Sequence, residues 1–124
     1  MCGHLRSATR FMLSDPSAAL ADIGEHIHLA RHWCDGHSFA SFKEDRKTFY
    51  AVTRCLAVIS EAVRRLPPSM LQRHPKLPWR AIRDPGNVYR HQYDDVLEKD
   101  VWDTVRYHLG ALERFVEAEA DLSR

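Results

Sequence analysis

Residues 41–68 read SFKEDRKTFYAVTRCLAVISEAVRRLPP and predict a long amphipathic helix around which the rest of the fold is built. Apolar residues recur in this stretch at spacings of three and four, the period of one helix face; they are Phe49, Val52, Leu56, Ile59 and Val63. Ser41 and Glu44 have the spacing of a capping box and predict the start of the helix. Pro67-Pro68 predicts its end, because proline lacks the N–H that a helix interior needs.

Two further helices show the same period. The first is predicted to open at Ser14, with Pro16 in its first turn, and to end near Asp35-Gly36. Its apolar stripe is Leu20, Ile23, Ile27 and Ala30. The last is predicted from Leu97 to Glu119, with the stripe Val101, Val105, Leu109, Leu112 and Val116. A connector over residues 67–85 separates these regions, with short helical turns expected at 69–73 and 78–82.

These elements predict an all-α fold, an antiparallel up-and-down bundle of four to five helices joined by short loops. A chain of 124 residues is the size of one domain with a substantial core. We expect residues 13–124 to form that single domain and residues 1–12 to be a loose N-terminal arm.

The composition, with 44% hydrophobic and 28% charged residues, is ordinary for a soluble globular protein. The longest apolar runs are too short to span a bilayer, and the N-terminus has no apolar region of the secretory type. Three cysteines, Cys2, Cys34 and Cys55, cannot all pair within one chain. We therefore expect them to be reduced thiols, as is usual in the cytoplasm.

Charge is distributed unevenly, although the net charge is only +1. Residues 64–91 hold seven Arg or Lys and one acid, a net charge of +6, whereas residues 94–124 carry a net charge of −5. A basic middle region favours an anionic ligand at one face, RNA included. The alternative is that these charges form an ordinary solvated surface.

Residues 86–93, Gly86-Asn87-Val88-Tyr89-Arg90-His91-Gln92-Tyr93, concentrate the side chains suited to metal-independent RNA cleavage. We call this segment the octet; it follows Pro85, where a further helical region is predicted to begin. Histidine ordinarily titrates near neutral pH, so His91 is a candidate to accept or donate a proton. Arg90 can bind phosphate oxygens with two hydrogen bonds and stabilise negative charge in the transition state.

With these elements placed, the chain resembles the HepT-like branch of the HEPN domain superfamily from Phe42 to about Phe115. The matching segments follow one another in order and at characteristic spacing. They are residues 42–48 (FKEDRKT) with Ala51-Val52, 59–62 (ISEA), 75–79 (PKLPW), 87–93 (NVYRHQY) and Val101-Trp102.

The resemblance implies a homodimeric endoribonuclease toxin that acts on RNA, tRNA or mRNA, without metal or cofactor. It also implies a minimal nucleotidyltransferase antitoxin that silences the toxin by adding AMP to a tyrosine near the active site. Neither DNA nor a membrane is an expected partner. The family motif is an Arg and a polar residue, a short spacer and His-x-Tyr. Asn87 matches its polar residue, and His91-Gln92-Tyr93 matches its end. Tyr93, or the neighbouring Tyr89, is the candidate for AMP attachment.

The octet departs from the family pattern at Gly86, where the family usually has the motif Arg. Arg90 is the first candidate to substitute for it, because Asn87, Arg90 and His91 share one face of a helix that starts near Pro85. Arg83, upstream of the Pro85-Gly86 break, is the second. The alternative function is a catalytically degenerate subunit that serves as a scaffold for the nucleotidyltransferase.

The mechanism expected from this motif is attack by the RNA 2′-hydroxyl on the adjacent phosphorus. One His91 of a twofold dimer would act as base and its mate as acid, at a cleft shared by the two subunits. Arg90 would stabilise the phosphate, and Asn87 would orient the phosphate or the His91 ring. Glu61 matches a family position and is a candidate to line that cleft.

A third candidate function is a helical zinc protein. His28 and His32 are separated by four residues, which can present two imidazoles to one metal ion, with Cys34 or His37 as a third ligand. The sequence lacks a complete HExxH motif, so we expect no metal site and interpret these histidines as part of a polar helix face or a dimer surface. Trp79 and Trp102 are interpreted as core anchors rather than as platforms for stacking bases.

Overall fold

The computed structural model of the protein describes residues 15–84 and 95–122. All regular secondary structure in these two ranges is helical. The elements are α1 (Ser17–Cys34), α2 (Phe39–Glu44), α3 (Arg46–Arg64), α4 (Pro68–Gln72), α5 (Trp79–Arg83), α6 (Asp95–Asp103), a π-helical turn (Thr104–His108) and α7 (Leu109–Leu122). The last three follow one another without a break and form one long helix.

Helix α1 packs antiparallel to the other two long helices. Arg65 Nη2, just after α3, lies 2.6 Å from Asp22 Oδ2 near the start of α1. Arg31 Nη1, near the end of α1, lies 2.8 Å from Glu113 Oε1 on α7. Gly24 on α1 lies beside Val116, so α1 is antiparallel to the last helix as well as to α3. Arg46 at the start of α3 lies 3.6 Å from Glu98 near the start of the last helix, so these two helices run in the same direction. The prediction of an all-α helical bundle is confirmed.

The apolar stripes predicted from the sequence face one common core. All of the predicted stripe residues of α1 and α3 are buried, as are Val101, Val105, Leu109 and Leu112 of the last helix. Val116 is only partly buried, and its neighbour Phe115 is 2% exposed instead. The connector packs against this side of α7, so α7 is covered over a wider arc than one stripe. No helix in residues 15–84 and 95–122 is long and apolar enough to cross a membrane.

The predicted capping box at Ser41 and Glu44 is wrong, because the chain forms two helices there rather than one. Ser38 caps α2, and its hydroxyl accepts a hydrogen bond from the backbone N–H of Ser41. Asp45 breaks the helix and caps α3, accepting hydrogen bonds from the N–H and the hydroxyl of Thr48 at 3.1 and 2.8 Å. The bend at Asp45 sets α2 against α6 while α3 packs on α1.

The start of α1 also differs from the prediction. Helix α1 begins at Ser17, so Pro16 precedes it rather than lying in its first turn. The Asp15 carboxylate accepts a hydrogen bond from the Ser17 N–H at 2.9 Å, while the predicted cap Ser14 lies outside the described residues. The predicted end is confirmed, since Gly36 follows α1 with a φ of 82°, which favours glycine.

The connector forms the two short helices that the sequence predicts, α4 and α5, and Trp79 fixes α5 in place. The Trp79 indole N–H donates to the carbonyls of Leu71 and His74 at 3.0 and 2.9 Å. Its ring meets the Phe115 ring edge-on, with 4.8 Å between centroids. These contacts hold α5 against the bundle just before the chain reaches the octet. Trp102, the other predicted core anchor, is buried against Phe42.

Candidate functional site

The octet lies outside the described residues, and with it Asn87, Tyr89, Arg90, His91 and Tyr93. Their predicted catalytic arrangement therefore stays a prediction. The structure does describe the helices on either side of the octet. Helix α5 ends at Arg83, and helix α6 begins at Asp95.

Helices α5 and α6 border the same cleft, which has a volume of about 530 Å³. Its third wall is α3. The described lining residues are Leu56, Ile59, Ser60, Lys76, Leu77, Pro78, Ala81, Ile82, Asp100, Asp103, Thr104, Tyr107, His108, Leu109, Ala111 and Leu112. The chain thus enters and leaves the octet on helices that line one cleft, which makes this cleft the candidate functional site.

The π-helical turn forms much of one wall of the cleft. Thr104, Tyr107 and His108 all lie on this turn, and the Thr104 hydroxyl donates to the carbonyl of Asp100 at 2.7 Å. π-Helical turns are rare and frequently occur at functional sites. Tyr107 is 71% exposed, which is unusual for a large aromatic side chain. The cleft therefore combines an apolar floor with an aromatic and titratable rim.

Sequence reasoning missed Tyr107 and His108. The sequence gives only a weak signal for them, which is that both lie off the stripe defined by Val105 and Leu109. An adjacent Tyr and His on the polar side of a helix are unremarkable in a sequence. Only the packing of α3 and α5 beside the turn places them at a cleft.

Arg83, the second candidate for the missing motif Arg, is the last residue of α5 and is exposed. The Arg83 carbonyl accepts a hydrogen bond from Arg64 Nη1, which joins the ends of α3 and α5. No carboxylate within residues 15–84 and 95–122 pairs with the Arg83 guanidinium. The side chain lies three residues before the octet, and its charge is available to an anion there.

Glu61, predicted as a residue that could line the dimer cleft, lies on the exposed side of α3, and its carboxylate is 3.8 Å from Arg54 Nη1. It does not line the cleft between α3, α5 and the last helix, whereas Ser60 does. Successive helical residues are rotated by about 100°, so the two side chains occupy different faces of α3. A role for Glu61 between two subunits stays a prediction.

The histidine-rich helix α1 does not assemble a metal site with its predicted ligands. His28 and His32 are exposed, whereas Cys34 is buried in the core. Burial raises the pKa of the Cys34 thiol to about 11, which disfavours the thiolate that a metal requires. His37 Nδ1 lies 2.9 Å from the Ser41 hydroxyl. The described ranges contain no group of three His, Cys, Asp or Glu residues that could hold a metal ion.

Comparison with known proteins identifies the family. The family described as "Ribonuclease HepT-like" matches residues 22–119, which include the octet and every described residue that lines the cleft. The chain belongs to the HepT-like family. The resemblance seen in the sequence is thereby confirmed.

Curated relatives of this HepT-like chain carry ribonuclease names. It is 33% identical to "Probable ribonuclease HepT" of Thermococcus cleftensis over 75% of its own length and 84% of the relative's. It is 33% identical to a protein of Caldanaerobacter subterraneus subsp. tengcongensis named "Putative RNase", over 85% and 94% of the two chains. A Methanocaldococcus jannaschii protein with the same style of name is 29% identical over 83% and 85%. No solved structure matches the chain.

The HepT-like match ends at Glu119, a buried carboxylate that links α7 to the connector. Arg73 Nη2 donates to Glu119 Oε1 at 2.6 Å, and His74 Nε2 donates to Oε2 at 2.6 Å. The hydrogen bond from Arg73 is the main reason that the pKa of Glu119 lies below its usual value of 4.5, with His74 contributing further and burial opposing. A charged Glu119 therefore stabilises the fold.

We expect Glu119→Gln to make stability less sensitive to acid. Because folding lowers the pKa of Glu119, its stabilising effect is fully present above pH 4.5 and is lost as pH falls through the folded-state pKa, below 4.5. Wild type should therefore have the higher melting temperature at neutral pH, and the gap should close below pH 4.5. Thermal unfolding followed by circular dichroism across this range measures the gap. Glu117→Gln, on the exposed side of α7, is the matched control. A gap for Glu119→Gln that stays constant with pH would contradict this account.

Proposed function

We propose that this protein is a metal-independent endoribonuclease, the toxin of a HEPN and nucleotidyltransferase toxin–antitoxin pair. The observation that carries the proposal is the HepT-like match over residues 22–119, which spans an octet that retains His91-Gln92-Tyr93. Relatives that cover most of the chain bear ribonuclease names, which supports the same function. The helices on either side of the octet, α5 and α6, border one cleft, which also supports the proposal.

The proposed reaction transfers the phosphate within the RNA strand. The 2′-hydroxyl oxygen attacks phosphorus and gives its proton to one His91, while the bond from phosphorus to the 5′-oxygen breaks. A second His91, from the other subunit of a homodimer, gives its proton to the departing 5′-oxygen. Arg90 stabilises the additional negative charge on the phosphate, and Asn87 orients it. The products are a 2′,3′-cyclic phosphate and a 5′-hydroxyl.

RNA is the substrate that this chemistry requires, because DNA lacks the 2′-hydroxyl nucleophile. Both tRNA and mRNA are proposed substrates. A metal ion is not part of the scheme, since the two histidines move both protons. The rate should follow a bell-shaped pH profile, because one histidine must be neutral and the other protonated.

The partner proposed for this toxin is a minimal nucleotidyltransferase that transfers AMP to Tyr93 or Tyr89. The tyrosine hydroxyl would attack the α-phosphorus of ATP and release pyrophosphate, leaving AMP on the phenolic oxygen. An added phosphate carries negative charge next to His91 and Arg90, where it would repel the RNA phosphate. Modification of either tyrosine would therefore silence the octet by charge as well as by bulk.

The experiment that tests both proposals is one cleavage assay with protein of verified mass. Purified unmodified protein is incubated in EDTA with total tRNA and with a defined mRNA, and the ends of the products are identified. We expect cleavage with 2′,3′-cyclic phosphate ends. Incubation with the nucleotidyltransferase and ATP should then raise the mass in steps of AMP and abolish cleavage. An unmodified protein that leaves both RNAs intact would refute the nuclease, and a constant mass would refute AMP transfer.

A catalytically silent scaffold is the second candidate function, favoured by one observation, the Gly86 that stands where the family motif usually has Arg. A protein of this kind would form a stable complex with the nucleotidyltransferase and would leave RNA uncut. The cleavage assay separates the two candidates, because both predict the complex and only the toxin predicts the products.

A further inference from the structure

Two exposed cations near the cleft have no carboxylate partner among the described residues, whereas six other cations of the bundle do. Carboxylates lie within 4.0 Å of Arg31, Arg46, Arg54, Arg65, Arg73 and Lys99. Lys76 and Arg114 have no such carboxylate within the described ranges, and both are exposed. They come from different elements, the connector and α7, yet they line one pocket of about 450 Å³. We call this pocket the basic pocket.

The basic pocket presents a single sign of charge. Its described lining contains four groups that are cationic or can become so, Arg73, His74, Lys76 and Arg114, and no acid. The Glu119 carboxylate, to which Arg73 and His74 of the lining are bound, is 1% exposed, and both of its oxygens accept hydrogen bonds from these two residues. Glu119 therefore anchors the pocket from beneath and offers no acceptor to a ligand.

The anchoring also prepares Arg73 for an anion. Two of its nitrogens, Nε and Nη2, donate to Glu119 at 3.3 and 2.6 Å, which fixes the plane of the guanidinium. The side chain remains half exposed, so Nη1 is still available as a donor. A fixed guanidinium with exposed donors binds phosphate oxygens at little cost in conformational entropy. Lys76 and Arg114 add two charges that no protein carboxylate in residues 15–84 and 95–122 neutralises.

The basic pocket and the cleft share a wall. Lys76, Leu77 and Ala111 line both, so an RNA strand bound in the cleft could extend into the pocket. We propose that the basic pocket binds a backbone phosphate of the RNA outside the bond that is cut, and so serves as a second contact site for the substrate. That the ligand is an RNA strand rests on the proposed function. That the pocket binds a phosphate rests on the charges of its own lining residues.

The proposal is tested by binding, separately from cleavage. Fluorescence anisotropy measures the affinity of the wild-type protein for a labelled single-stranded RNA in which every 2′-hydroxyl is methylated, so that it cannot be cut. The same titration is run over a series of salt concentrations. Lys76→Ala with Arg114→Ala should weaken binding on the order of tenfold. The slope of log affinity against log salt should become shallower by about 0.7 for each cation removed from a single-strand contact.

Matched variants show whether the position of the charge matters. Lys47→Ala removes one exposed charge from α3, outside both pocket linings, and should leave affinity and slope nearly unchanged. Arg114→Lys keeps the charge and should keep the salt slope. Far-ultraviolet circular dichroism confirms that each variant is folded.

The outcomes separate this inference from the nuclease itself. Unchanged binding in the double variant, a loss as large in Lys47→Ala, or no binding of RNA by wild type would each overturn the basic pocket as a phosphate site. If wild type binds through Lys76 and Arg114 but leaves unmodified RNA uncut, the pocket stands and the proposed nuclease fails. If wild type cuts RNA while the double variant binds and cuts equally well, the nuclease stands and the pocket fails.

Discussion

Replacing His91 by alanine is expected to lower the rate of RNA cleavage by about 10²–10⁴-fold, the usual contribution of a general acid or base. In a homodimer the substitution removes both imidazoles, so the loss should lie toward the upper end of that range. The rate is measured under single-turnover conditions in EDTA, where chemistry is not masked by product release. The fraction of folded protein is checked by circular dichroism in the same buffer.

The control for this experiment is His28→Ala, which removes an exposed histidine from α1. It should leave the rate unchanged, because α1 contributes no residue to the described lining of the cleft. Full activity of His91→Ala would rule out the proposed mechanism. Equal losses in both variants would instead point to a general effect of removing histidines.

Arg90→Ala and Arg83→Ala, compared in the same assay, test whether either cation takes the place of the motif Arg that is absent at Gly86. The Arg83 comparison is clean, because Arg64 bonds the backbone carbonyl of Arg83 and that bond survives truncation of the side chain. A loss with Arg90→Ala alone would assign the role to Arg90. A loss with Arg83→Ala alone would move the role to the end of α5.

The helices were predictable because their apolar residues repeat regularly within a short stretch of sequence. The stripe from Phe49 to Val63 is buried along its whole length, as a helix with one apolar face requires. The caps were less predictable because several serines and acids near residue 40 fit the same short pattern. In the structure the capping box is formed by Ser38 and Ser41 rather than by Ser41 and Glu44, and Asp45 ends α2 and caps α3. Competition between neighbouring caps depends on where the chain must bend.

The octet stands out in the sequence by its residue types and stays a prediction, whereas the shape of the cleft beside it could not be predicted. The octet was found because it concentrates His91, Arg90 and Asn87 in one short segment. The cleft, in contrast, is lined by residues from α3, the connector and the last helix, which only the packing brings together. The π-helical turn has no periodic signature, so Tyr107 could not be assigned to that wall. The basic pocket is likewise formed by packing, because Lys76 and Arg114 are 38 positions apart in the sequence.

Phe115→Ala should have the largest effect on stability among single substitutions near the site. Phe115 is 2% exposed, and its ring meets those of His74 and Trp79 edge-on at 4.7 and 4.8 Å between centroids. Truncating a buried phenylalanine removes its apolar contacts and leaves a cavity, at a cost of about 3–5 kcal/mol. Because a domain of this kind is typically stable by about 5–15 kcal/mol, a substantial fraction of the total would be lost.

Urea unfolding followed by circular dichroism measures this loss, at one fixed protein concentration so that any association contributes equally to each variant. Leu122→Ala, a truncation on the same helix at an exposed position, should change stability by no more than about 0.5 kcal/mol. A cost below about 1 kcal/mol for Phe115→Ala would mean that the connector closes the cavity without help from that ring.

Phe115→Leu separates the effect of volume from the effect of the aromatic contacts. Leucine retains much of the buried apolar surface but loses the edge-on contacts with His74 and Trp79, which are worth about 0.5–1.5 kcal/mol for an aromatic pair beyond the area that it buries. Trp79 fixes α5, and α5 leads to the octet, so a leucine variant that remains folded should still loosen this approach to the cleft. Its cleavage rate should then fall even under conditions where circular dichroism shows the variant to be fully folded. This result would link the packing of Phe115 to the geometry of the site.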